Sequence, residues 1–517
     1  MNLFIRADAG TAIGTGHVMR SIALAQACKK ARGNVNFVCH CESKAMQKLI
    51  LDEGFELAEI EKTHPDPDDL EKTLGFLRRG VTGDESGTPW LVLDGYHFDP
   101  AYQKASRDAG FRVLVIDDYN HQPHYHADIL LNQNFKAESL KYICDQDTML
   151  LMGTKYALIR SEFLKKGKKM RNVPVIAQKV LVTLGGADPD NVVLRVVQAL
   201  KLLDIKGLEA KIVVGPANPH IKKLEKEILR SGDLPRDFQI VQNGNMPDLM
   251  AWADIAVSAG GTTCWELAFM GVPFLVLVLA ENQRDIAQRL EDAGAALNLG
   301  WANQRNTKQI SEALENLICN QDKRREMSYR ADKLVDGQGA SRVSSLMDWL
   351  SADKGFREIQ MREALFEDCR QIWFLSNDRK VRENSFNTEP IAFEDHVLWY
   401  KEKLASSDTA FYVLDICGVI GGQVRYERKG SVTEISYSLD PAFRGIGLGE
   451  TLIESTIYKA CKKLKVDRVH AVVKNFNKAS IKTFLNIGFR KVHDEKIKGL
   501  DSSVFERGIS QQERRFL

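Results

Sequence analysis

The chain has 517 residues, which exceeds what one hydrophobic core can hold, so we expect two or three domains. Its formal net charge of +2 is close to balance, which argues against nucleic-acid binding as its main function. The longest apolar run, around Val272–Ala280, is too short to span a membrane, and residues 1–20 carry no uninterrupted apolar stretch, so we expect a cytoplasmic chain without a signal peptide or membrane contact.

The chain opens with a predicted strand at Leu3–Ile5 and a predicted helix at Val18–Lys30. The loop between them contains Gly10, Gly14 and Gly16, and His17 lies where the helix begins. Glycines let backbone N–H groups approach a ligand, and a helix N-terminus favours an anion. The same positive end disfavours imidazolium, so we expect His17 to be neutral, as a general base must be. A turn histidine that caps an ordinary helix is the alternative.

Apolar runs then alternate with helical segments, which predicts a parallel sheet with helices on both faces. The predicted strands are Asn36–Cys39, Leu91–Leu93, Arg112–Ile116 and Ile129–Leu131. Ligands of such sheets bind beyond the carboxyl ends of the strands. Polar residues cluster at these ends, namely His17, Asp94, Tyr96, Asp117, Asp118, Asn132 and Asn134. The pair Asp117–Asp118 could hold a metal, but a turn or helix cap is the favoured interpretation.

A second alternating set begins at Lys179. Its predicted strands are Val180–Leu184, Lys211–Val214, Gln239–Val241, Ile255–Ser258 and Phe274–Leu279. The turn Gly260–Thr263 precedes a predicted helix at Cys264–Met270 and offers N–H groups and hydroxyls to a diphosphate. Glu266 could accept hydrogen bonds from a ribose diol or could simply be a favourable charge near a helix start. Asn282 and Gln283 could hold the ligand from the facing loop.

These segments resemble the GT-B fold of nucleotide-sugar enzymes, MurG among them, and more closely the PseG-type UDP-2,4-diacetamido-2,4,6-trideoxy-β-L-altropyranose hydrolases. The resemblance is carried by IRADAGTAIGTGHVMR, LVLDGYHFD, VIDDY, LLNQN, GTKYALIRSEF, VTLGGADPDN, ADIAVSAGGTTCWELAFMGVP and AENQ. It implies Rossmann-like lobes at 1–170 and 171–350, with His17 as the base that activates water, Tyr96 beside it, and no metal. It also implies UDP contacts from Gly14, Gly16, Arg20, Gly186, Gly261, Thr262, Thr263, Glu266, Asn282 and Gln283.

From residue 356 the pattern changes to one typical of an antiparallel sheet, with strands at Phe411–Leu414, Gly418–Arg425 and Thr433–Leu439. The loop DPAFRGIGLG then leads into a helix at Glu450–Leu464. This loop and helix, together with Asn477, Ser480 and the pair Gly488–Phe489, resemble the GNAT acetyltransferases. The N-terminal part of the region that starts at residue 356 resembles the PseH-type sugar-amine N-acetyltransferases. The resemblance implies an α+β domain at 356–517 that binds acetyl-CoA through Arg444, Gly445, Gly447, Leu448, Gly449, Asn477 and Ser480.

One position departs from the GNAT pattern. Many of these enzymes carry a tyrosine seven residues after the position of Asn477, and this chain has Phe484 there. A thiol with a pKa of about 8.5 can leave with little help, or Tyr437 could donate the proton. Glu434 is a candidate base, and a domain that binds CoA without activity is the alternative.

Together the two resemblances imply consecutive steps of pseudaminic acid synthesis. The tail would N-acetylate a UDP-4-amino-4,6-dideoxy-N-acetyl-altrosamine with acetyl-CoA, and the head would hydrolyse the product with inversion and release UDP. Two alternatives stay open for the head, a glycosyltransferase that uses the same UDP site and a non-catalytic UDP-sugar-binding module. The expected partners are a UDP-amino-sugar and acetyl-CoA.

Overall fold

The computed structural model describes residues 2–10, 13–31, 33–80, 88–167, 171–185, 188–215, 218–229, 237–242, 244–352 and 358–509. The chain divides into two compact units, Met1–Ser344 and Ser345–Leu517. The finer boundaries at 170, 350 and 356 stay predictions. All nine cysteines are free thiols, as expected.

The first unit begins with a parallel sheet. Its strands are β1 (Asn2–Ala7), β2 (Asn34–Cys39), β3 (Glu56–Glu59), β4 (Trp90–Asp94), β5 (Arg112–Ile116), β6 (Ile129–Asn132) and β7 (Met149–Met152). Its helices are α1 (Gly16–Lys30), α2 (Lys44–Asp52), α3 (Pro67–Gly80), α4 (Pro100–Asp108) and α5 (Ser161–Lys166). The described strands lie in the order β3-β2-β1-β4-β5-β6-β7. The edge strands β3 and β7 were not predicted; β3 has a charged residue at each end and is at most partly buried.

A second parallel sheet follows. Its strands are β8 (Lys179–Thr183), β9 (Glu209–Val213), β10 (Asp237–Val241), β11 (Ile255–Ala259), β12 (Phe274–Val278) and β13 (Ala296–Trp301), in the order β10-β9-β8-β11-β12-β13. Its helices are α6 (Val192–Lys201), α7 (Ile221–Leu229), α8 (Met246–Trp252), α9 (Thr263–Phe269), α10 (Glu281–Asp292), α11 (Thr307–Cys319), α12 (Gln321–Leu334) and α13 (Gly339–Ser351).

The order of strands reverses direction at one place in each sheet. In the first sheet β1 lies between β2 and β4, and in the second β8 lies between β9 and β11. Such a switch point leaves a crevice at the carboxyl ends of the strands, where ligands of open α/β sheets bind. The loops that follow β1, β4 and β11 carry most of the residues predicted for the first site.

The central strands explain why the apolar runs are continuous rather than alternating. Every residue of β4 and of β12 is buried, because helices cover both faces of each sheet. The buried charged side chains of these strands are paired: Arg6 in β1 donates to Asp69 over 2.6 Å and pairs with Asp8, and Asp94 at the end of β4 pairs with Arg20. Pairing of this kind is what allows a charge to be buried.

The second unit is built on a mixed sheet. Its strands are β14 (Gln360–Glu363), β15 (Thr409–Ile416), β16 (Val419–Lys429), β17 (Val432–Leu439), β18 (Arg468–Lys474), β19 (Arg490–Ile497) and β20 (Leu500–Gly508), in the order β14-β15-β16-β17-β18-β20-β19. Its helices are α14 (Cys369–Ser376), α15 (Arg379–Asn384), α16 (Phe393–Ala405), α17 (Leu448–Leu464) and α18 (Lys478–Asn486).

The neighbouring strands of this sheet are antiparallel except for β17 and β18, which run parallel. These two strands pair only at Thr433 with Val469 and at Glu434 with His470, so they separate beyond that point. The predicted fold class is confirmed: two Rossmann-like parallel sheets are followed by an α+β domain.

Candidate functional site

His17 lies in the first turn of α1, which begins at Gly16. The helix was predicted to begin at Val18, but the amide of Met19 already donates to the carbonyl of Thr15 over 3.0 Å, so the helical pattern starts earlier. Gly14, in the preceding loop, has a φ of +79°, a left-handed conformation that favours glycine. His17 is 8 % exposed, so the side chain is enclosed but still reaches the surface of the crevice.

Asp94 holds the imidazole in place from the end of β4. The Nδ1 atom of His17 lies 2.6 Å from Oδ1 of Asp94, and Arg20 donates to both carboxylate oxygens over 2.6 and 2.8 Å. Burial alone would raise the pKa of Asp94, but the charges of Arg20 and His17 outweigh burial and hold that pKa well below its usual range. An ionised Asp94 accepts the hydrogen on Nδ1, which leaves Nε2 as the basic nitrogen of His17.

Arg20 joins two carboxylates at the ends of neighbouring strands. Its Nη1 donates to Asp118 over 2.7 Å, in addition to its bonds to Asp94. The guanidinium is buried, and its pKa is raised further by the charges of Asp118 and Asp94 despite the burial. The predicted contact between Arg20 and UDP stays a prediction, and in the structure Arg20 fixes the carboxylates that surround His17.

Tyr96 lies against the imidazole. The two rings have centroids 4.9 Å apart at an interplanar angle of 80°. The hydroxyl of Tyr96 donates to Oδ2 of Asp118 over 2.5 Å. Burial and the charge of Asp118 raise the pKa of Tyr96, so the phenol keeps its hydrogen. Tyr96 can therefore orient a group beside His17 but is poorly suited to lose a proton.

Asn282 reaches the same place from the second sheet. Its Nδ2 donates to the hydroxyl oxygen of Tyr96 over 3.1 Å, although the two residues are 186 positions apart. Gln283 follows it in α10, and its Oε1 accepts from the amide of Leu279 over 2.9 Å. The backbone of Gly260 also lies close to α10, since a Cβ at Gly260 would lie 2.8 Å from the carbonyl oxygen of Gln283.

The predicted diphosphate loop lies at the start of α9. Gly261, Thr262 and Thr263 are partly buried there, and Thr262 is the N-cap residue. A Cβ at Gly16 would lie 3.8 Å from Oγ1 of Thr262, so the starts of α1 and α9 face each other. Gly186, predicted to contact UDP, lies outside the described residues.

Glu266 is joined to a residue that the sequence analysis did not select. Its Oε1 accepts from Nε of Arg160 over 2.9 Å, and Arg160 also donates to Glu162 over 2.7 Å. Burial raises the pKa of Glu266, and the charge of Arg160 opposes this effect. Arg160 therefore favours the ionised carboxylate that a ribose diol would need, and the ribose contact itself stays a prediction.

The side chains of the pair Asp117–Asp118 have different partners. Oδ1 of Asp117 accepts from the amides of Tyr119 and Asn120 over 3.0 and 2.6 Å, which is a side-chain-stabilised turn. Asp118 instead pairs with Arg20 and Tyr96. The turn interpretation holds for Asp117, and Asp118 belongs to the His17 site.

In the second unit, the predicted CoA loop leads into α17, which begins at Leu448. Gly445 and Gly447 have φ values of +81° and +82°, which the glycines make accessible. The loop arginine, Arg444, donates to the carbonyl of Leu439 over 3.0 Å and pairs with Asp378. Its side chain therefore secures the loop, while the backbone N–H groups at the helix start are the groups suited to phosphate.

A second cluster surrounds the start of α18. Asn477 caps this helix, accepting from the amide of Ser480 over 3.2 Å and donating to its hydroxyl over 3.0 Å. The hydroxyl of Tyr437 donates to Oγ of Ser480 over 3.3 Å. Phe484 is buried, with its ring 5.5 Å from that of Tyr437 at 89°. Tyr437 therefore supplies a hydroxyl next to Phe484, whose side chain has none. Glu434, on the same strand as Tyr437, is exposed.

Asp94 and Asp118 were predicted to lie among the polar residues at the strand ends, because both follow predicted strands, but neither was assigned a role. Arg160 was missing from the predicted site residues. No local pattern points to Arg160. Within the described residues, no helix has both the length and the apolarity needed to cross a membrane.

Residues 179–343 match the Glycosyltransferase family 28 C-terminal domain, and residues 358–490 match the Acetyltransferase (GNAT) domain. An uncharacterized protein of Methanocaldococcus jannaschii is 23% identical over 95% of this chain and 97% of its own length. The spore coat polysaccharide biosynthesis protein SpsG of Bacillus subtilis is 26% identical over 67% of this chain and 98% of its own.

A UDP-2,4-diacetamido-2,4,6-trideoxy-beta-L-altropyranose hydrolase of Campylobacter jejuni is 24% identical over 57% of this chain and 97% of its own length. A Helicobacter pylori protein that carries the same hydrolase name together with pseudaminic acid cytidylyltransferase is 24% identical over 45% of this chain. Over its first unit the chain is therefore similar to proteins named UDP-2,4-diacetamido-2,4,6-trideoxy-beta-L-altropyranose hydrolase, and its second unit carries a GNAT acetyltransferase domain.

Proposed function

We propose that the chain is a bifunctional enzyme of pseudaminic acid biosynthesis. Its second unit transfers the acetyl group of acetyl-CoA to the 4-amino group of a UDP-4-amino-4,6-dideoxy-N-acetyl-altrosamine. Its first unit then hydrolyses the resulting UDP-diacetamido sugar at the anomeric carbon. The observation that carries the hydrolase half is the 2.6 Å contact between His17 and Asp94 at the switch point of the first sheet.

His17 acts as the general base in this proposal. Asp94 holds the hydrogen on Nδ1, so Nε2 is free to take a proton from water. As the water loses this proton, its oxygen forms a bond to the anomeric carbon, and the bond from that carbon to the UDP oxygen breaks. Attack from the side opposite the leaving group inverts the anomeric configuration.

The second lobe holds the leaving group. Negative charge grows on the β-phosphate as the bond breaks, and fixed N–H and hydroxyl groups stabilise such charge without reorganisation. Gly261, Thr262 and Thr263 would supply them, and the position of Thr262 opposite the start of α1 supports this assignment. Glu266, which accepts from Arg160, would also accept hydrogen bonds from the ribose, and Asn282 would contact UDP beside Tyr96.

The acetyl transfer uses acetyl-CoA as a substrate. The amine forms a bond to the thioester carbonyl carbon, the carbon–sulfur bond breaks, and CoA leaves as the thiolate. The backbone of residues 445–449 would hold the pyrophosphate at the start of α17, with Asn477 and Ser480 beside the pantetheine arm. Tyr437 would donate a proton to the thiolate, and solvent water would take the proton that the amine loses.

One experiment tests both halves. The full chain is incubated with the UDP-4-amino sugar, with and without acetyl-CoA, and the products are identified by mass spectrometry. We expect UDP and the free diacetamido sugar only when acetyl-CoA is present. With His17→Ala we expect the acetylated UDP-sugar to accumulate at an unchanged rate, which also shows that the variant chain is folded.

A second candidate for the head is sugar transfer to an acceptor, which the match to a glycosyltransferase C-terminal domain favours. This alternative predicts that wild-type protein accumulates the acetylated UDP-sugar when no acceptor is added. Undiminished UDP release by His17→Ala would overturn the assignment of the base.

A further inference from the structure

Three side chains outside both sites converge on one point in the first unit. Nε2 of His124 and Nδ1 of His126 lie 2.8 and 3.0 Å from the same oxygen, Oδ1 of Asp145. All three ligand atoms lie within 4.8 Å of one another, and all three residues are partly buried. We propose that His124, His126 and Asp145 bind a divalent transition metal ion of the Zn²⁺ class.

The backbone fixes this arrangement before any ion binds. Tyr125, between the two histidines, is buried, and its side chain donates to Asp117 over 2.9 Å. In an extended segment alternate side chains share one face, so His124 and His126 both point away from Tyr125. The amide of Tyr125 donates to Ile143 over 2.9 Å, and the amide of Asp145 donates back to Tyr125 over 3.3 Å. The two segments are thereby held side by side.

The carboxylate is already oriented by an outer partner. Arg107 donates to Oδ2 of Asp145 over 2.7 Å, while Nε2 of His124 lies nearest Oδ1 and Nδ1 of His126 lies 3.0 and 3.1 Å from the two oxygens. Arg107 itself pairs with Asp147 over 2.9 Å and with Asp128 over 3.5 Å. In metal sites, the oxygen of a carboxylate ligand that does not face the ion typically accepts a hydrogen bond from an outer residue.

The donor set decides the class of ion. Two imidazoles and one carboxylate suit Zn²⁺ and neighbouring transition metals, whereas Mg²⁺ and Ca²⁺ prefer oxygen ligands throughout. Three protein ligands leave one tetrahedral position for water, and the partial exposure of the three residues gives solvent access to it.

The location points to a structural rather than a catalytic role. His126 lies just before β6 and Asp145 just before β7. Arg107 pairs with Asp128, which also precedes β6 and accepts from the amide of Val113 near the start of β5. The cluster therefore lies towards the amino ends of these strands, whereas Asp94 and Asp118 lie at the carboxyl ends. An ion here would join the segment that enters β6 to the segment that enters β7.

The test measures metal binding by the full chain. Chelator-treated protein is dialysed against Zn²⁺ or Mg²⁺, and bound metal is counted by mass spectrometry. His124→Gln/His126→Gln is the test variant, because glutamine amides can still donate to Asp145, and His493→Gln, on exposed β19, is the matched control. We expect one equivalent of Zn²⁺ lost in the double variant and retained in the control, with no Mg²⁺ bound.

Co²⁺ distinguishes this site from the cysteines. Binding at two imidazoles and a carboxylate gives visible d–d bands without a thiolate charge-transfer band. The thermal unfolding midpoint should rise with Zn²⁺ in the wild type and stay unchanged in the double variant. If the double variant does not fold, His124→Gln alone should still weaken binding at least tenfold. Equal Zn²⁺ in wild type and variant, a thiolate band for the bound equivalent, or no bound equivalent would overturn the proposal.

Discussion

The two glycine loops, one before α1 and one before α17, lead into helices in similar ways but are surrounded by different groups. The first is followed by His17 and Arg20, which are buried against Asp94 and Asp118. The second is followed by Leu448 and Gly449 at the helix start, and its arginine, Arg444, secures the loop. The first loop therefore delivers reactive side chains, whereas the second offers backbone N–H groups to a phosphate.

The buried histidines of the two units differ in the same way. His17 has an ionised aspartate on its Nδ1 atom. His396, in α16, is 1 % exposed and stacks on Tyr400, with ring centroids 5.7 Å apart at 19°. Burial lowers the pKa of His396 to about 4. A histidine with a carboxylate partner can serve chemistry, while one buried against an aromatic ring serves packing.

The largest effect is expected from Asp94→Asn, which removes the charge that fixes the His17 tautomer. We expect UDP release to fall by about 100-fold or more, the range that general base catalysis supplies, while acetyl transfer continues. Asp117→Asn is the matched control, since Asp117 is equally buried but is not bonded to His17 in the structure. Equal losses of UDP release in both variants would mean that burial, and not the contact with His17, explains the effect.

The second prediction concerns His396 and pH. Because its folded pKa is depressed, the unfolded chain takes up the proton first, so the stability of the second unit should fall as the pH is lowered from about 6.5 towards 4. The full loss is about 3 kcal/mol. Denaturant unfolding of the second unit should show this slope in the wild type and a flatter one in His396→Leu. An unchanged slope in the variant would assign the pH dependence to other groups.

The third prediction concerns Glu266→Gln, which tests whether the carboxylate of Glu266 binds the ribose of UDP. Loss of a hydrogen bond to a charged group should weaken UDP binding by about tenfold. Glu162→Gln provides the control, because it removes the other carboxylate on Arg160 and leaves Glu266 in place. Calorimetric titration with UDP measures both variants, and equal affinities for the two would remove Glu266 from the site.

The smallest effect is expected at the second loop. Gly447→Ala places a Cβ on a residue with φ of +82°, where nothing lies within 4 Å, so only backbone strain is added. The strain is worth about 1 kcal/mol, or about fivefold in affinity for CoA. Gly499→Ala, with φ of +80° and equally open surroundings, carries the same strain away from the loop and should leave CoA binding unchanged. A CoA affinity unchanged in Gly447→Ala would contradict the backbone role.

Much of this arrangement could be predicted because strand ends are local features. The apolar runs that end at Asp94 and Asp118 can be recognised in the sequence. A parallel sheet must place the two aspartates at the same edge, because the carboxyl ends of its strands lie together. That β4 lies beside β1, and so brings Asp94 to His17 across 77 positions, depends on the order of strands, which no local pattern encodes. Arg160 and Glu266 are 106 positions apart, and their pairing depends on packing between the two sheets.

The hydroxyl of Tyr96 connects the two lobes of the first unit with a fixed direction. Its hydrogen is given to Asp118, so its oxygen can only accept from Asn282. If the lobes separate to release product, Tyr96 loses this donor at the atom nearest the His17 network. Any separation of the two lobes therefore breaks a hydrogen bond that lies directly beside the ring of His17.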